Sequence, residues 1–230
     1  GDAAHYYGCI TELDDQVGRL VKTLDDAGVS DNTLIFFCSD NGPEGKEIGG
    51  RRVGTTDGLR GRKRALYDGG VRVPAFAVWP GQITPGTESE APLSTLDYFP
   101  TISTYLNFTM PDARPIDGED ILPILTGNRS ARRSSIPFRY GSGASSLVKD
   151  NFKYMLPAGE LYDLSQDRDE SENLIAAHPQ LAATMREELV QFFISVQKSH
   201  GGHDYGSTDY QPTNPWRPHK TTVSTKKSDP

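Results

Sequence analysis

Apolar residues near the start of the chain recur every three or four positions, the spacing that aligns them on one face of an α-helix. This pattern predicts a helix over residues 3–27, ended by Gly28, with an apolar face made of Ile10, Leu13, Val17, Leu20, Val21 and Leu24. Turn-forming residues 30–32 lead into the unbroken apolar run 34–38, which predicts a strand buried on both faces. A helix followed by such a strand predicts a parallel α/β sheet.

The middle of the chain alternates irregular and apolar segments. Glycine, arginine and lysine dominate residues 42–70, which predicts a long loop of the kind that often carries function. The apolar run 73–79 predicts a second strand, and short helices are predicted around residues 96–106 and 121–125. We therefore expect residues 1–129 to form part of an α/β core.

Shorter elements follow in the C-terminal half. Strands are predicted at residues 146–148 and 152–155, and a last helix begins at Pro179 with an apolar face made of Leu181, Met185, Leu189, Phe192, Phe193 and Val196. These signals predict a small α+β subdomain over residues 130–198. Residues 199–230 are rich in Gly, His, Pro, Ser, Thr and Lys, which predicts an extended or disordered tail.

The charge balance changes the range of partners. The 24 basic and 31 acidic residues give a net charge of −7, which argues against nucleic acid or an anionic membrane as the general partner. Residues 51–64 nevertheless hold one acid, Asp57, among the cations Arg51, Arg52, Arg60, Arg62, Lys63 and Arg64. This basic loop either concentrates an anionic substrate at one site or is a solvated surface segment.

Cysteine usage and hydropathy add little. Cys9 and Cys38 are too few for a disulfide framework and lack zinc-finger spacing, so both are predicted to be packing residues. No apolar run approaches the roughly 18 residues of a membrane span, and the first residues lack a signal-peptide pattern. We expect a soluble chain without a membrane span, and the redox compartment stays open.

Two oxygen-bearing side chains follow the first predicted strand. Ligands of open α/β sheets bind outside the carboxyl ends of strands, where Asp40 and Asn41 stand. A carboxylate and an amide carbonyl are hard donors of the kind that calcium and magnesium take. The alternative is an ordinary Asx turn, which needs no ion.

Three motifs, in order, carry a resemblance to a known family. They are S-D-N-G-P at residues 39–43, L-R-G-R-K at residues 59–63 and D-G-G-V-R-V-P at residues 68–74. Together they resemble the type I sulfatases of the alkaline phosphatase superfamily, and the similarity extends over residues 5–195. It includes Y-Y at 6–7, L-D-D-Q-V-G-R at 13–19, L-D-Y-F-P-T at 96–101, D-G-E-D-I-L-P at 117–123, and E-L-Y-D-L at 160–164 with Asn173 and Leu174.

The resemblance implies a fold and a site. The fold is α/β: part of an alkaline-phosphatase-like mixed sheet flanked by helices, followed by the small α+β subdomain. Asp40 and Asn41 are implied calcium ligands, and Lys63 is an implied catalytic and substrate-binding residue that contacts a sulfate oxygen. Four arginines stay open between substrate binding, pairing with a core carboxylate and solubility: Arg60, Arg62, Arg64 and Arg72. The resemblance also implies export, to a periplasm, a lysosome or the outside of the cell.

The family's nucleophile is missing from its expected place. Type I sulfatases carry a Cys or Ser, oxidised to formylglycine, in a C/S-x-P-x-R motif before the metal strand, and nothing before Asp40 fits. Residues 135–139, S-I-P-F-R, match the motif literally but follow the metal pair, and no helix pattern comes after them. We therefore expect the N-terminal part of the same enzyme, as a companion chain or a missing segment, to supply the nucleophile.

Two further patterns are weak. His200 and His203 have a possible metal spacing but no third ligand nearby, so a solvated segment is expected. Asn107 and Asn128 begin glycosylation sequons, which matter only in a eukaryotic secretory setting.

These observations predict an enzyme that hydrolyses sulfate esters, with a formylglycine hydrate attacking sulfur, and the basic loop favours a sulfated carbohydrate as substrate. One alternative is a phosphatase or phosphonate hydrolase of the same superfamily, because a cation and a lysine serve phosphoryl groups equally well. Another alternative is a non-catalytic module that binds sulfated glycans. The nature of the missing nucleophile discriminates between the two enzyme classes.

Overall fold

A computed structural model describes four stretches of the chain: residues 2–45, 53–112, 114–141 and 143–205. The described residues fall into two compact units, one running up to Ser89 and including Leu125–Asn128, the other comprising Glu90–Ile124 and the residues from Arg129 onward.

Some predictions fall outside the described residues. Arg51 and Arg52 of the basic loop do so, as does the predicted tail beyond residue 205. The predicted domain boundaries after residues 129 and 198 stay a prediction.

The first unit opens on one long helix, α1, which spans Asp2–Asp26 and confirms the predicted element. Gly28 ends it with a left-handed φ of 67°, a conformation that costs glycine little because it has no Cβ. The Gly28 N–H donates to the Asp25 carbonyl (2.9 Å) and the Val29 N–H to the Leu24 carbonyl (3.1 Å). This pair of bonds is a Schellman motif, which satisfies the last carbonyls of the helix.

The apolar face of α1 is not covered by the described residues. Ile10, Leu13 and Leu20 expose 47%, 49% and 51% of their surface. Cys9 on the same helix is also exposed, so the prediction that it packs in a core is wrong for the described chain, because this helix surface is open. Cys38 is half-buried.

Two short strands follow α1: β1, Ile35–Cys38, and β2, Ala75–Val78. They pair antiparallel, with Ile35 opposite Val78, so the predicted parallel sheet is wrong for these strands. The connection between them, residues 39–74, contains one four-residue helix, α2 (Asp68–Val71), among its described residues, and its length permits either direction.

The first strand was also predicted to be buried on both faces, and this is wrong for the described chain. All four residues of β1 are half-buried, and Phe76 and Val78 of β2 expose 44% and 41% of their surface. An apolar run records which side chains need cover, but the described residues place no complete layer over this pair of strands.

The second unit contains the two predicted short helices. A 3₁₀ turn at Thr95–Asp97, closed by a capping box between Ser94 and Asp97, leads into α3, Tyr98–Tyr105. Helix α4 spans Leu122–Leu125, and all but its last residue belong to this unit.

Four antiparallel strands form the sheet of the second unit, in the spatial order β3-β4-β5-β6. They are β3 (Ile136–Tyr140), β4 (Ala144–Lys149), β5 (Phe152–Leu156) and β6 (Glu160–Asp163). The predicted strands β4 and β5 are confirmed, and β3 and β6 are additional. Pro137 lies in β3 at the edge of the sheet, where proline's missing N–H removes no ladder bond.

The last helix, α5, spans Pro179–His200 and confirms the prediction, with proline in its first turn. It packs on the sheet and completes a closed core made of Leu147, Tyr154, Leu156, Leu161, Ala182, Met185, Leu189 and Phe193. A fully buried ion pair, Lys153 Nζ to Glu170 Oε1 at 2.9 Å, also lies in this unit. Among the described residues, no helix combines the length and apolarity needed to cross a bilayer.

Candidate functional site

The turn after β1 carries the predicted metal pair. Asp40 is exposed and Asn41 is half-buried. The Asn41 Nδ2 donates to Asp40 Oδ1 at 3.0 Å and to the Gly42 carbonyl at 3.1 Å, and the Ser39 hydroxyl donates to the Asn41 carbonyl at 3.0 Å. These local bonds define the geometry of the turn, in which Asp40 Oδ1 accepts one hydrogen bond and the residue as a whole stays exposed.

The donor types of this pair fit a hard cation, but their number does not complete a site. Calcium takes about six to eight oxygen ligands, whereas Asp40 and Asn41 supply one carboxylate and one amide. No group of three His, Cys, Asp or Glu side chains that could hold a metal occurs in the part of the chain that is described. The pair can therefore furnish only a fraction of a coordination sphere.

Backbone hydrogen bonds join this turn to two later segments, one at Lys63 in the basic loop and one at Gly69 and Gly70. The Lys63 N–H donates to the Pro43 carbonyl at 3.0 Å, and the Gly42 N–H donates to the Gly70 carbonyl at 2.9 Å. The Gly69 N–H in turn donates to the Arg60 carbonyl at 2.7 Å. We call this set of bonds the glycine interlock; it brings the backbone of Lys63 beside the turn that bears Asp40.

Glycine is required in the interlock because the chains approach too closely for a side chain. A Cβ on Gly42 would lie 1.9 Å from the Gly69 carbonyl oxygen, and one on Gly70 would lie 2.1 Å from the Ala65 oxygen. Real Cβ atoms essentially never approach other atoms below 3.0 Å. The consecutive glycines in the sequence were a signal of this close approach, which sequence reasoning did not use.

Two of the four open arginines are committed to the protein itself. Arg62 donates from Nε to the Glu44 carbonyl (2.9 Å) and from Nη2 to the carbonyls of Val53 (2.5 Å) and Gly54 (3.1 Å). Arg64 forms an ion pair with the Glu44 carboxylate, in which its Nη2 lies 3.1 Å from Oε2. The positive charge of this stretch is therefore partly used inside the loop.

The other two arginines also have protein contacts. The Arg60 guanidinium lies 3.8 Å from the centre of the Tyr67 ring, in cation–π geometry. Arg72 Nη1 lies 3.8 Å from the buried Asp68 carboxylate. Lys63 is a half-buried residue and differs from the four arginines, because the described residues offer no hydrogen-bond or ion-pair partner to its side-chain amine.

The literal nucleophile motif lies in the second unit. Ser135 directly precedes β3, and its hydroxyl donates to the Glu188 carboxylate on α5. Burial raises the pKa of Glu188, but hydrogen bonds from Lys149 and Ser135 outweigh it, so the pKa lies below its ordinary value. The Ser135 hydroxyl is thus bonded to an ionised carboxylate at the start of a strand rather than presented at the start of a helix.

The weak candidates have ordinary surroundings. His200 ends α5, and His203 begins a short 3₁₀ turn. Asn107 and Asn128 are both exposed, and Asn128 Nδ2 donates to the Thr126 hydroxyl at 2.9 Å.

Sequence reasoning missed a polar cluster around Glu119 in the second unit. Arg129 Nη2 lies 2.5 Å from its Oε1, while Oε2 accepts from the N–H groups of Arg133 (3.0 Å) and Ser134 (2.6 Å) and from the Ser134 hydroxyl (2.8 Å). The cluster borders an open cavity of about 360 Å³ lined by Glu119, Asp120, Pro123, Arg129, Arg133 and Ser134. These bonds join parts of the chain that are distant in sequence, so no local pattern announced them.

Two family models match this chain. The Sulfatase model matches residues 1–108, and the model named N-sulphoglucosamine sulphohydrolase, C-terminal, matches residues 61–195, which is more than half of the chain. Steryl-sulfatase of Rattus norvegicus is 38% identical over 153 residues, which are 64% of this chain and 26% of that protein. N-acetylgalactosamine-6-sulfatase of Homo sapiens is 38% identical over 136 residues, 58% of this chain and 26% of that protein. The chain thus spans about a quarter of the length of these relatives.

A solved structure agrees with the sequence matches. This structure comes from work on the metabolism of multiple glycosaminoglycans by Bacteroides thetaiotaomicron, and its sequence is 27% identical to this chain. The two superpose with a TM-score of 0.67, and the match covers 78% of this chain and 42% of that chain. This likeness confirms the predicted fold class, part of an alkaline-phosphatase-like α/β architecture. With more than half of its length matched by a family model, the chain belongs to the sulfatases of the alkaline phosphatase superfamily.

Proposed function

We propose that this chain supplies part of the cation and sulfate site of an enzyme that hydrolyses sulfate esters. The observation that carries the proposal is the bond from the Lys63 N–H to the Pro43 carbonyl at 3.0 Å, which holds Lys63 beside the Asp40–Asn41 turn. A hard-cation donor pair and an ammonium in one backbone network can bind one anionic group from two sides. The sulfatase names of the relatives support sulfate as that group.

Asp40 and Asn41 would hold calcium together with ligands from outside this chain. A bound divalent cation orients a nucleophile and polarises the ester group. The Asn41 amide nitrogen faces Asp40 in the structure, so binding an ion between the two side chains requires the amide to present its oxygen instead. The donor chemistry of the pair supports this assignment.

Lys63 would stabilise the sulfate group as its S–O bond breaks. Negative charge shifts onto oxygen during this step, and a positioned ammonium offsets it more effectively in a site that excludes water. The neighbouring Arg62 and Arg64 are bonded to protein carbonyls and to Glu44, respectively. Lys63 therefore has the side-chain cation of this stretch that is best placed to serve a substrate.

The nucleophile would come from the N-terminal part of the same enzyme, as the formylglycine that the family pattern implies. We propose a sulfated carbohydrate as substrate, supported by the name of the human relative, N-acetylgalactosamine-6-sulfatase. Export from the cytoplasm is part of the same proposal. The motif at residues 135–139 has no place in it, because the Ser135 hydroxyl is bonded to Glu188.

The experiment that tests the proposal changes Lys63→Ala in the complete enzyme that contains this chain. We expect kcat/KM for a sulfate ester to fall roughly 30- to 1,000-fold. This corresponds to a loss of about 2–4 kcal/mol of transition-state stabilisation, as when an oxyanion donor is removed. Calcium content, measured by metal analysis, should be lost with Asp40→Ala but kept with Lys63→Ala.

The matched control is Lys22→Ala, which removes an exposed lysine that pairs with Asp26 on α1. An unchanged kcat/KM in the Lys63→Ala enzyme would remove Lys63 from the site. Assays with phosphate and phosphonate esters of the same alcohol separate the rival hydrolase, which would turn over those esters preferentially. Glycan binding without turnover in the complete enzyme would favour the binding module instead.

A further inference from the structure

Arg62 stands next to Lys63 in sequence, yet its guanidinium is held by the protein. Its Nε and Nη2 donate to three backbone carbonyls, those of Glu44, Val53 and Gly54, at distances of 2.5 to 3.1 Å. The side chain is half-buried. A sulfate group could bind Nε or Nη2 only by displacing hydrogen bonds that already exist, so these two nitrogens are committed to the backbone.

Arg62 and Lys63 together donate hydrogen bonds to two successive residues that follow the Asp40–Asn41 turn. The Arg62 side chain holds the Glu44 carbonyl, while the Lys63 N–H holds the Pro43 carbonyl. The Arg62 carbonyl is also packed against Gly70, where a Cβ would come within 2.6 Å of it. Residue 62 is therefore held through its side chain and through its carbonyl. Because Lys63 is the next residue, its position depends on these contacts.

From these contacts we propose that Arg62 is a positioning residue, which acts on the reaction through Lys63 and does not touch the substrate. The inference rests on the proposed function, because it gives Arg62 a role only if Lys63 serves the sulfate group. The planar fork of arginine matters here, since a lysine carries the same charge but cannot reach several carbonyls in fixed directions.

A double-mutant cycle on the complete enzyme tests the proposal. Arg62→Lys and Arg62→Ala are each made alone and together with Lys63→Ala, and kcat and KM are measured with a sulfate ester. We expect both Arg62 variants to lower kcat by about tenfold or more, with little change in KM, and lysine not to rescue the loss. In the Lys63→Ala enzyme the same Arg62 changes should cost less than about threefold, because coupled residues are not additive.

Arg64→Lys is the matched control, because this neighbouring arginine is exposed and pairs with the Glu44 carboxylate, and lysine keeps the charge of that pair although it forms fewer bonds. Its kcat should stay within about twofold of wild type, as for most surface ion pairs. Thermal unfolding of each variant distinguishes a shifted site from a protein that fails to fold, and the Lys63→Ala background provides the readout that a purely structural role would not move.

Two results would overturn the proposal for Arg62 and leave the proposed function standing. Additive losses in kcat would show that Arg62 does not act through Lys63. A normal kcat in Arg62→Lys, combined with a raised KM in Arg62→Ala, would show that its charge binds the substrate directly. If Lys63→Ala itself leaves kcat/KM unchanged, the proposed function fails first and the inference fails with it.

Discussion

The two units of this chain use their apolar residues differently. In the second unit, Met185 and Leu189 of α5 are fully buried against the four-stranded sheet. In the first unit, the apolar face of α1 is half exposed, as with Leu20 at 51%, and Phe76 on β2 exposes 44% of its surface. Both units have an amphipathic helix and a sheet, but only the second closes them into a core within the described residues.

This contrast shows what holds the candidate site in place. The site lies in the unit with the less complete apolar core, and its turn and loop are held by backbone hydrogen bonds, glycine contacts and the donors of Arg62. Hydrogen bonds contribute about 1 kcal/mol each to stability, but they are directional. The second unit therefore gains stability from burial, whereas the site gains geometry from polar contacts.

The strongest change in stability is expected when a buried leucine of α5 is replaced, and a leucine of α1 serves as the comparison in the same 230-residue chain. Leu189→Ala should lower the free energy of unfolding by about 2–5 kcal/mol, because it leaves a cavity in a closed core. Leu20→Ala should change it by no more than about 0.5 kcal/mol, because the residue is half exposed. Urea unfolding followed by circular dichroism measures both values. Equal losses would contradict the contrast between the two units.

An intermediate effect is expected at the end of α1. Gly28→Ala should destabilise the helix by about 1–2 kcal/mol, since alanine pays a steric cost at φ 67° even though a Cβ there would meet no neighbour. Gly18→Ala is the matched control, because it lies inside the same helix with open space around it. That change should stabilise the chain by about 0.5–1 kcal/mol, and helical ellipticity during thermal unfolding would reveal two changes of opposite sign.

The smallest effect concerns the pH dependence of the second unit. Burial raises the pKa of the Glu119 carboxyl, but hydrogen bonds from Ser134 and Arg133 and the charge of Arg132 outweigh it, so the pKa is lowered. A lowered pKa in the folded state gives stability that is present above the unfolded value of about 4.3 and is lost as pH falls through the folded value. Unfolding free energies measured from pH 6 downward should therefore decline below about pH 4. Glu119→Gln should flatten this decline; an identical slope would argue against the cluster as its source.

The sequence was sufficient for elements with strong local periodicity. Helix α1 was predicted within one residue at each end because its apolar spacing is regular over about four turns and Gly28 marks its end. Strand β3 was missed because Pro137 argues against a strand, a rule that fails at a sheet edge, and β6 was missed because its apolar run is only two residues, Leu161 and Tyr162. The direction of the β1–β2 pair could not be predicted, because an apolar run does not encode the path of the connection between strands.

The site was predictable only where a motif carried it. Asp40, Asn41 and Lys63 stand in family motifs, and the structure brings their backbones together. Nothing in the sequence distinguishes Arg62 from Arg64, since the carbonyls that Arg62 holds belong to residues 8 to 18 positions away. Contacts between a side chain and distant backbone groups depend on tertiary structure and leave no trace in residue types.

The glycine interlock also limits how the candidate site could be redesigned. Its contacts consist of main-chain atoms at positions 42, 69 and 70, so there is no side chain whose size or charge could be adjusted by degrees. A side chain at any of these three positions would force the backbone to move, so substitutions there would not be tolerated in small steps. Tolerated variation would concentrate at exposed neighbours such as Arg60. Close main-chain packing thus protects the backbone geometry of the candidate site from gradual change.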